Sequence, residues 1–173
     1  CKIPNVICYE DLIEKESSDF EWPEFDENTA SGLCYTSGTT GNPKGVLYSH
    51  RSTVLHALIQ CFYNAGSFSP KKKILPIVPL FHANAWGIPY SAPISGTSLV
   101  FPGANLDGKS VYDLLEKYSV NSAWGVPTVW MGLLEEISQR GGKKPDGLEE
   151  MLVGGSAAAK SLIEAFENMG VRV

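Results

Sequence analysis

Apolar residues fall into short runs separated by glycine, proline and polar clusters, and the period changes from run to run. Residues 3–9 predict a short strand, and residues 10–15 predict one helical turn inside an acidic segment that reaches Glu27. Residues 30–36 and 44–48 predict two strands joined as a hairpin, because Pro43 and the glycines around it oppose a helix there. Ser49 or His50 then opens a helix in which Val54, Leu55, Leu58, Ile59 and Phe62 recur at helical spacing. Beyond it, strands at 73–78, 97–101, 121–125 and 151–153 alternate with helices near 88–94, 109–118, 128–139 and 157–169. Residues 79–87 read as a loop. Pro127 suits a helix start and Gly170 a helix end, and residues 171–173 read as another strand beginning. This alternation predicts an α/β fold with a largely parallel sheet.

Composition narrows the class. The 173 residues are 43% hydrophobic and 19% charged, as in an ordinary globular protein. The net charge of −5 is uneven: residues 1–27 hold nine acids against Lys2 and Lys15, and the remainder carries a small positive balance. We therefore divide the chain into an acidic lead-in, residues 1–29, belonging to an incomplete N-terminal subdomain, and a core fragment, residues 30–173, truncated at its C-terminal end. No basic patch marks a nucleic-acid partner. The four cysteines show no CxxC spacing, which opposes a metal site or disulfide framework and fits a reducing, cytoplasmic setting. Residues 74–106 lack Asp, Glu, Lys and Arg, yet five prolines and His82 oppose a membrane span, so this stretch reads as buried interior. Both ends of the chain read as cut, since it opens on Cys1 and stops at Val173.

The chemistry concentrates in Tyr35-Thr36-Ser37-Gly38-Thr39-Thr40-Gly41-Asn42-Pro43-Lys44-Gly45-Val46. Glycines let backbone N–H groups approach a ligand closely. The hydroxyls of Thr36, Ser37, Thr39 and Thr40 add donors, and Lys44 adds a mobile positive charge suited to phosphate. The order of residues fails the Walker A pattern, because Lys44 follows Asn42-Pro43 and precedes Gly45. The stretch resembles instead the AMP-binding signature of the adenylate-forming superfamily: acyl-CoA synthetases, luciferases and peptide-synthetase adenylation domains.

The resemblance runs from about residue 30 to the end. Pro79-Leu80-Phe81-His82-Ala83-Asn84-Ala85-Trp86-Gly87 is similar to the family's second core motif, which implies that His82 lies beside the acyl and adenylate site. Val153-Gly154-Gly155-Ser156-Ala157 is similar to the loop lining the adenine and acyl pockets; Ser156 would also serve as a helix N-cap. The flavour is that of medium- to long-chain fatty-acyl-CoA synthetases, with Trp86, Gly125 and Val126 as expected pocket residues. Trp124 and Trp130 suit either the pocket wall or the core.

The resemblance implies two steps: a carboxylate attacks the α-phosphate of Mg-ATP to give acyl-AMP, and a thiol such as CoA displaces AMP. Thr36, Ser37, Gly38, Thr39, Thr40, Gly41 and Lys44 would hold phosphate, and Gly154, Gly155, Ser156 and Ala157 would meet adenine and acyl chain. ATP, Mg2+ and CoA are the implied cofactors and co-substrates, and a small-molecule carboxylic acid is the partner; a homodimer is left open. The family's Tyr-Gly-x-Thr-Glu motif, ribose-binding aspartate and catalytic lysine do not occur in these residues, so the isolated chain is expected to be inactive or nearly so. Competing readings are a ligase for a short, branched, sulfur-containing or aromatic acid, and a non-catalytic nucleotide-binding module.

Overall fold

The computed structural model describes residue 4 and residues 6–36, 41–64 and 66–173. A short helix, α1 (Tyr9–Ile13), precedes the hairpin strands β1 (Ala30–Thr36) and β2 (Lys44–Ser49), which pair antiparallel. Then follow α2 (His50–Tyr63), β3 (Lys73–Pro76), a single turn α3 (Ala83–Trp86), α4 (Ile88–Ser95) and β4 (Ser98–Leu99). The chain continues through α5 (Gly108–Tyr118), β5 (Ser122–Gly125), α6 (Pro127–Gln139), β6 (Glu150–Val153) and α7 (Lys160–Asn168).

Strands β3 to β6 form one parallel sheet in the order β4-β3-β5-β6. Side chains alternate across a strand, so each strand feeds two cores. Leu75, Ala123 and Met151 join Val111, Leu115, Trp130, Leu133 and Phe166 under α5, α6 and α7. Ile74 and Trp124 join Phe68, Ala85, Ile88 and Ala92 on the opposite face, beneath α4. Burial on both faces is what a parallel sheet requires, and it makes this a three-layer α/β fold with the hairpin set beside it. The two tryptophans left open by the sequence are fully buried core residues; the Trp124 indole N–H donates to Ser122 Oγ at 2.8 Å.

Several expectations need correction. Residues 6–8 form no strand and Tyr9 begins a helix; Val6 and Ile7 are exposed, and no described strand lies beside them to complete a ladder. Helix α7 starts at Lys160 with Ala159 as its N-cap, so Ser156 caps nothing and belongs to an exposed loop. The charge-free span is buried through Ile74, Leu75, Ile77, Val78, Ile88 and Ala92, while Leu80, Phe81, Ile94 and Phe101 are exposed at its loops and rim.

Helix α2 holds the most instructive difference. It is capped as its sequence implies, with Ser49 Oγ accepting from Ser52 N at 3.1 Å and Ser52 Oγ accepting from Ser49 N. Its apolar stripe, Val54, Leu55, Leu58, Ile59 and Phe62, is nonetheless exposed. The face turned to α4 is the small and polar one that contains Ala57, Gln60 and Cys61: Ala57 is fully buried and Cys61 Sγ donates to Ser91 O at 3.3 Å. Helices α2 and α4 pack through this face.

Helices α5 and α6 meet at a close contact. A Cβ on Gly108 would lie 2.1 Å from Gly132 O. Gly108→Ala gains at most about 1 kcal/mol of helix propensity against an overpacking cost of about 1–3 kcal/mol or more. A net loss of stability is the expected result in urea unfolding. At the same helix start, the Ser110 hydroxyl and backbone N–H bond the Asp107 carboxylate and hold its pKa below the ordinary 3.8. A depressed carboxylate contributes stability that is present above its unfolded value and lost as pH falls through its folded one. Asp107→Asn keeps the cap and should flatten that acid limb, as read by helix circular dichroism during acid titration.

Candidate active site

The order β4-β3-β5-β6 reverses direction in the middle. The connection leaving β3 runs to β4 and carries α4 over one face; the connection leaving β5 runs to β6 and carries α6 over the other. Open parallel sheets bind ligands beyond the carboxyl ends of the strands at such a reversal. Three segments leave the strand ends at that place: residues 77–87 after β3, Val126 after Gly125 closes β5, and Gly154-Gly155 after β6.

The structure brings them together. Gly154 N donates to Gly125 O at 3.2 Å, a Cβ on Gly154 would lie 2.6 Å from Trp86 Cη2, and one on Gly155 would lie 3.1 Å from Val126 Cγ1. Glycine at 154 is therefore what lets the Trp86 indole lie against the β6 loop. Trp86, Gly125, Val126, Gly154 and Gly155, singled out separately in the sequence, share one crevice. Ser156 and Ala157 follow in the exposed loop.

Trp86 reaches that position from an unusual backbone. Ala83, Asn84, Ala85 and Trp86 all have left-handed φ, from 46° to 56°, and Gly87 follows at 84°. Left-handed backbone costs non-glycine residues about 1–2 kcal/mol each, so four in succession need support from outside. It comes from three sides. Gln60 Nε2 of α2 donates to Trp86 O at 2.8 Å. The buried Ser91 hydroxyl of α4 shares its single proton between Gln60 Oε1 and Gly87 O. The Cys34 thiol of β1 donates to Asn84 Oδ1 at 3.3 Å.

The last contact ties the phosphate-loop hairpin to this turn. Cys34 lies two residues, about 7 Å of strand, before Thr36, and Thr36 pairs with Lys44 across the hairpin. Thr36, Gly41 and Lys44 are exposed, and Gly41 has a φ of 104° that favours glycine. Ser37, Gly38, Thr39 and Thr40 lie outside the described residues. His82 is exposed at the N-cap of the left-handed turn, where its backbone N–H donates to Pro79 O at 3.1 Å.

A cavity of about 270 Å³ opens between β2, α2, α3 and α4, lined by Tyr48, Thr53, His56, Asn84, Trp86 and Tyr90 among others. Its walls are mostly apolar. Lys44 at the start of β2 is exposed; Arg51 pairs with Glu27, and Lys72 pairs with Glu149 at the amino end of β3, away from the crevice. The roles of Gln60, Ser91 and Cys34 were not legible in the sequence. Among the described residues no group of three or more His, Cys, Asp or Glu could hold a metal ion, and the loop itself contains no acid. Among the described residues the donors present do not make a Mg2+ site. Among the described residues no helix is long and apolar enough to cross a membrane.

Residues 3–173 match the family model described as AMP-binding enzyme. The chain is 52% identical over 99% of its length to a medium-chain-fatty-acid–CoA ligase of Ectopseudomonas oleovorans. It is 50% identical over 98% of its length to a 3-methylmercaptopropionyl-CoA ligase of Ruegeria lacuscaerulensis. In each case it spans 32% of the relative's length. Among solved structures, o-succinylbenzoate coenzyme A synthetase of Bacillus subtilis in complex with ATP and magnesium ion superimposes with a TM-score of 0.77 at 25% identity, covering 93% of this chain and 33% of that one. A parallel α/β sheet, a signature hairpin beside its switch point and a family match over nearly every residue lead to one conclusion: the chain belongs to the AMP-binding enzyme family.

Proposed function

We propose that this chain is part of an acid–CoA ligase that activates an aliphatic carboxylic acid with ATP and passes the acyl group to CoA. The carboxylate oxygen attacks the α-phosphorus, the bond to pyrophosphate breaks, and acyl-AMP forms. The CoA sulfur then attacks the acyl carbonyl and AMP leaves. Such transfers depend mainly on positioning and on neutralising negative charge. Thr36, Ser37, Gly38, Thr39, Thr40, Gly41 and Lys44 would cradle phosphate, Gly154, Gly155, Ser156 and Ala157 would meet adenine, and His82 would lie near the acid's carboxylate. Trp86, Gly125 and Val126 would border the acyl chain. The observation that carries this reading is the crevice at the switch point, where Trp86 meets Gly154 and the hairpin is tethered through Asn84.

The acid itself follows less directly. The mostly apolar walls of the cavity beside Trp86 support an aliphatic acyl chain. The two relatives named above act by name on a medium-chain fatty acid and on a sulfur-containing acid. A sulfur-containing acid is therefore the second reading. The free thiols of Cys8, Cys34 and Cys61 support a reducing, cytoplasmic setting.

Acid-dependent ATP–pyrophosphate exchange by the full-length ligase, over acids of increasing length and one thioether acid, tests the proposal. Exchange should be greatest with aliphatic acids, and no preference for them would sink it. The 173-residue chain alone should give no exchange, and measurable turnover by it would contradict the reading of it as a part. Lys44→Ala should lower kcat by about 10²-fold, the scale for removing one group that stabilises transition-state charge. Gly154→Ala should raise the acid KM several-fold by driving the indole off the β6 loop, as steady-state kinetics would show.

A further inference from the structure

The proposed acid pocket has Trp86 as a wall, and Trp86 stands on a backbone that its own residues do not favour. The turn Ala83–Trp86 is left-handed at four successive non-glycine positions. Its last carbonyl, that of Trp86, accepts from Gln60 Nε2 at 2.8 Å. Gln60 is in turn fixed at its other end, where Oε1 accepts from Ser91 Oγ. Ser91 is fully buried, and Gly87 O at 3.2 Å is the longer branch of the same shared proton. One side-chain amide therefore spans α2, the turn and α4, using both its donor and its acceptor. The Trp86 indole, held by this backbone, lies against Gly154. Few arrangements of these groups satisfy all three contacts.

We infer that Gln60, clamped by Ser91, is a positioning residue that sets which acids the ligase accepts, by fixing the left-handed turn that carries Trp86. The inference rests on the acid–CoA ligase reading above and names a specificity determinant of that same site. Gln60 touches neither acid nor nucleotide in this role. It holds a backbone carbonyl, and through it the angle at which the indole closes the pocket against Gly154. Release of the carbonyl lets the turn relax toward ordinary φ and swings the indole away, which favours bulkier acids. The nucleotide loop, attached through Cys34 and Asn84, keeps its own anchor.

The test uses the full-length ligase and two substitutions. Gln60→Met retains the length and shape of the side chain and lacks the amide donor, and Ser91→Ala removes the hydroxyl that orients it. The readout is the ratio of kcat/KM for a bulky to a small acid, beside the KM for ATP. Gln60→Met should shift the ratio about five- to tenfold toward the bulky acid, the effect of losing one partly buried hydrogen bond. Ser91→Ala should shift it the same way by less, with the ATP KM within about twofold in both. An unchanged ratio in an active enzyme would overturn the inference alone. So would a parallel fall for every acid together with a raised ATP KM, because that marks general loss of structure. Absence of any acid-dependent exchange in the unsubstituted enzyme would instead bring down the ligase reading, and the inference with it.

Discussion

Between β3 and α4 the backbone winds left-handed through Ala83, Asn84, Ala85 and Trp86, against the preference of every L-residue there. Three outside groups hold it: Gln60 on the Trp86 carbonyl, Ser91 on Gln60 and Gly87, and Cys34 on Asn84. These come from α2, α4 and β1, so the turn is the point at which the hairpin, the helical layer and the sheet are fastened together. An isolated peptide of this sequence would have no reason to adopt it. The turn exists because tertiary contacts over-determine it, which is the usual condition for strained backbone at a functional place.

The remainder of the site is built on a stiffer frame. A parallel sheet buried on both faces fixes the ends of β3, β5 and β6 relative to one another, through Leu75, Ala123 and Met151 on one side and Ile74 and Trp124 on the other. The reversal of strand order then leaves a crevice where the segments after those strands diverge. Glycine at 154 lets the indole approach. Rigid frame and strained turn together shape the crevice on which the proposed function rests.

Much of the fold was legible residue by residue. The hairpin, the alternation of strands and helices and the parallel sheet follow from apolar runs and their punctuation by glycine and proline, because those features act within a few residues of themselves. The failures are equally local in origin. Residues 6–8 carry strand propensity but have no neighbouring strand among the described residues, and the stretch after Val153 bends at Gly155-Ser156 and forms no helix until Lys160 although Ser156 could cap one. Helix α2 shows the sharper limit: periodicity located one apolar stripe, Val54, Leu55, Leu58, Ile59 and Phe62, which is exposed in this structure, and did not show that Ala57, Gln60 and Cys61 face α4.

The sequence by itself determined the chemistry on offer and the order of elements: a glycine- and hydroxyl-rich loop with Lys44, a motif around His82 and Trp86, and a second glycine loop at 154–155. These are properties of residue type and short spacing, and the resemblance to the adenylate-forming superfamily rests on them. Only the tertiary structure decided that Trp86 meets Gly154 across two strands, that Gln60 and Ser91 hold the turn beneath it, and that Cys34 ties the hairpin to Asn84. Those partners stand as far as 68 residues apart in the chain, from Trp86 to Gly154. No local preference encodes a contact of that span; it arises from the closing of the sheet and its two helical layers, which brings the strand ends into one crevice.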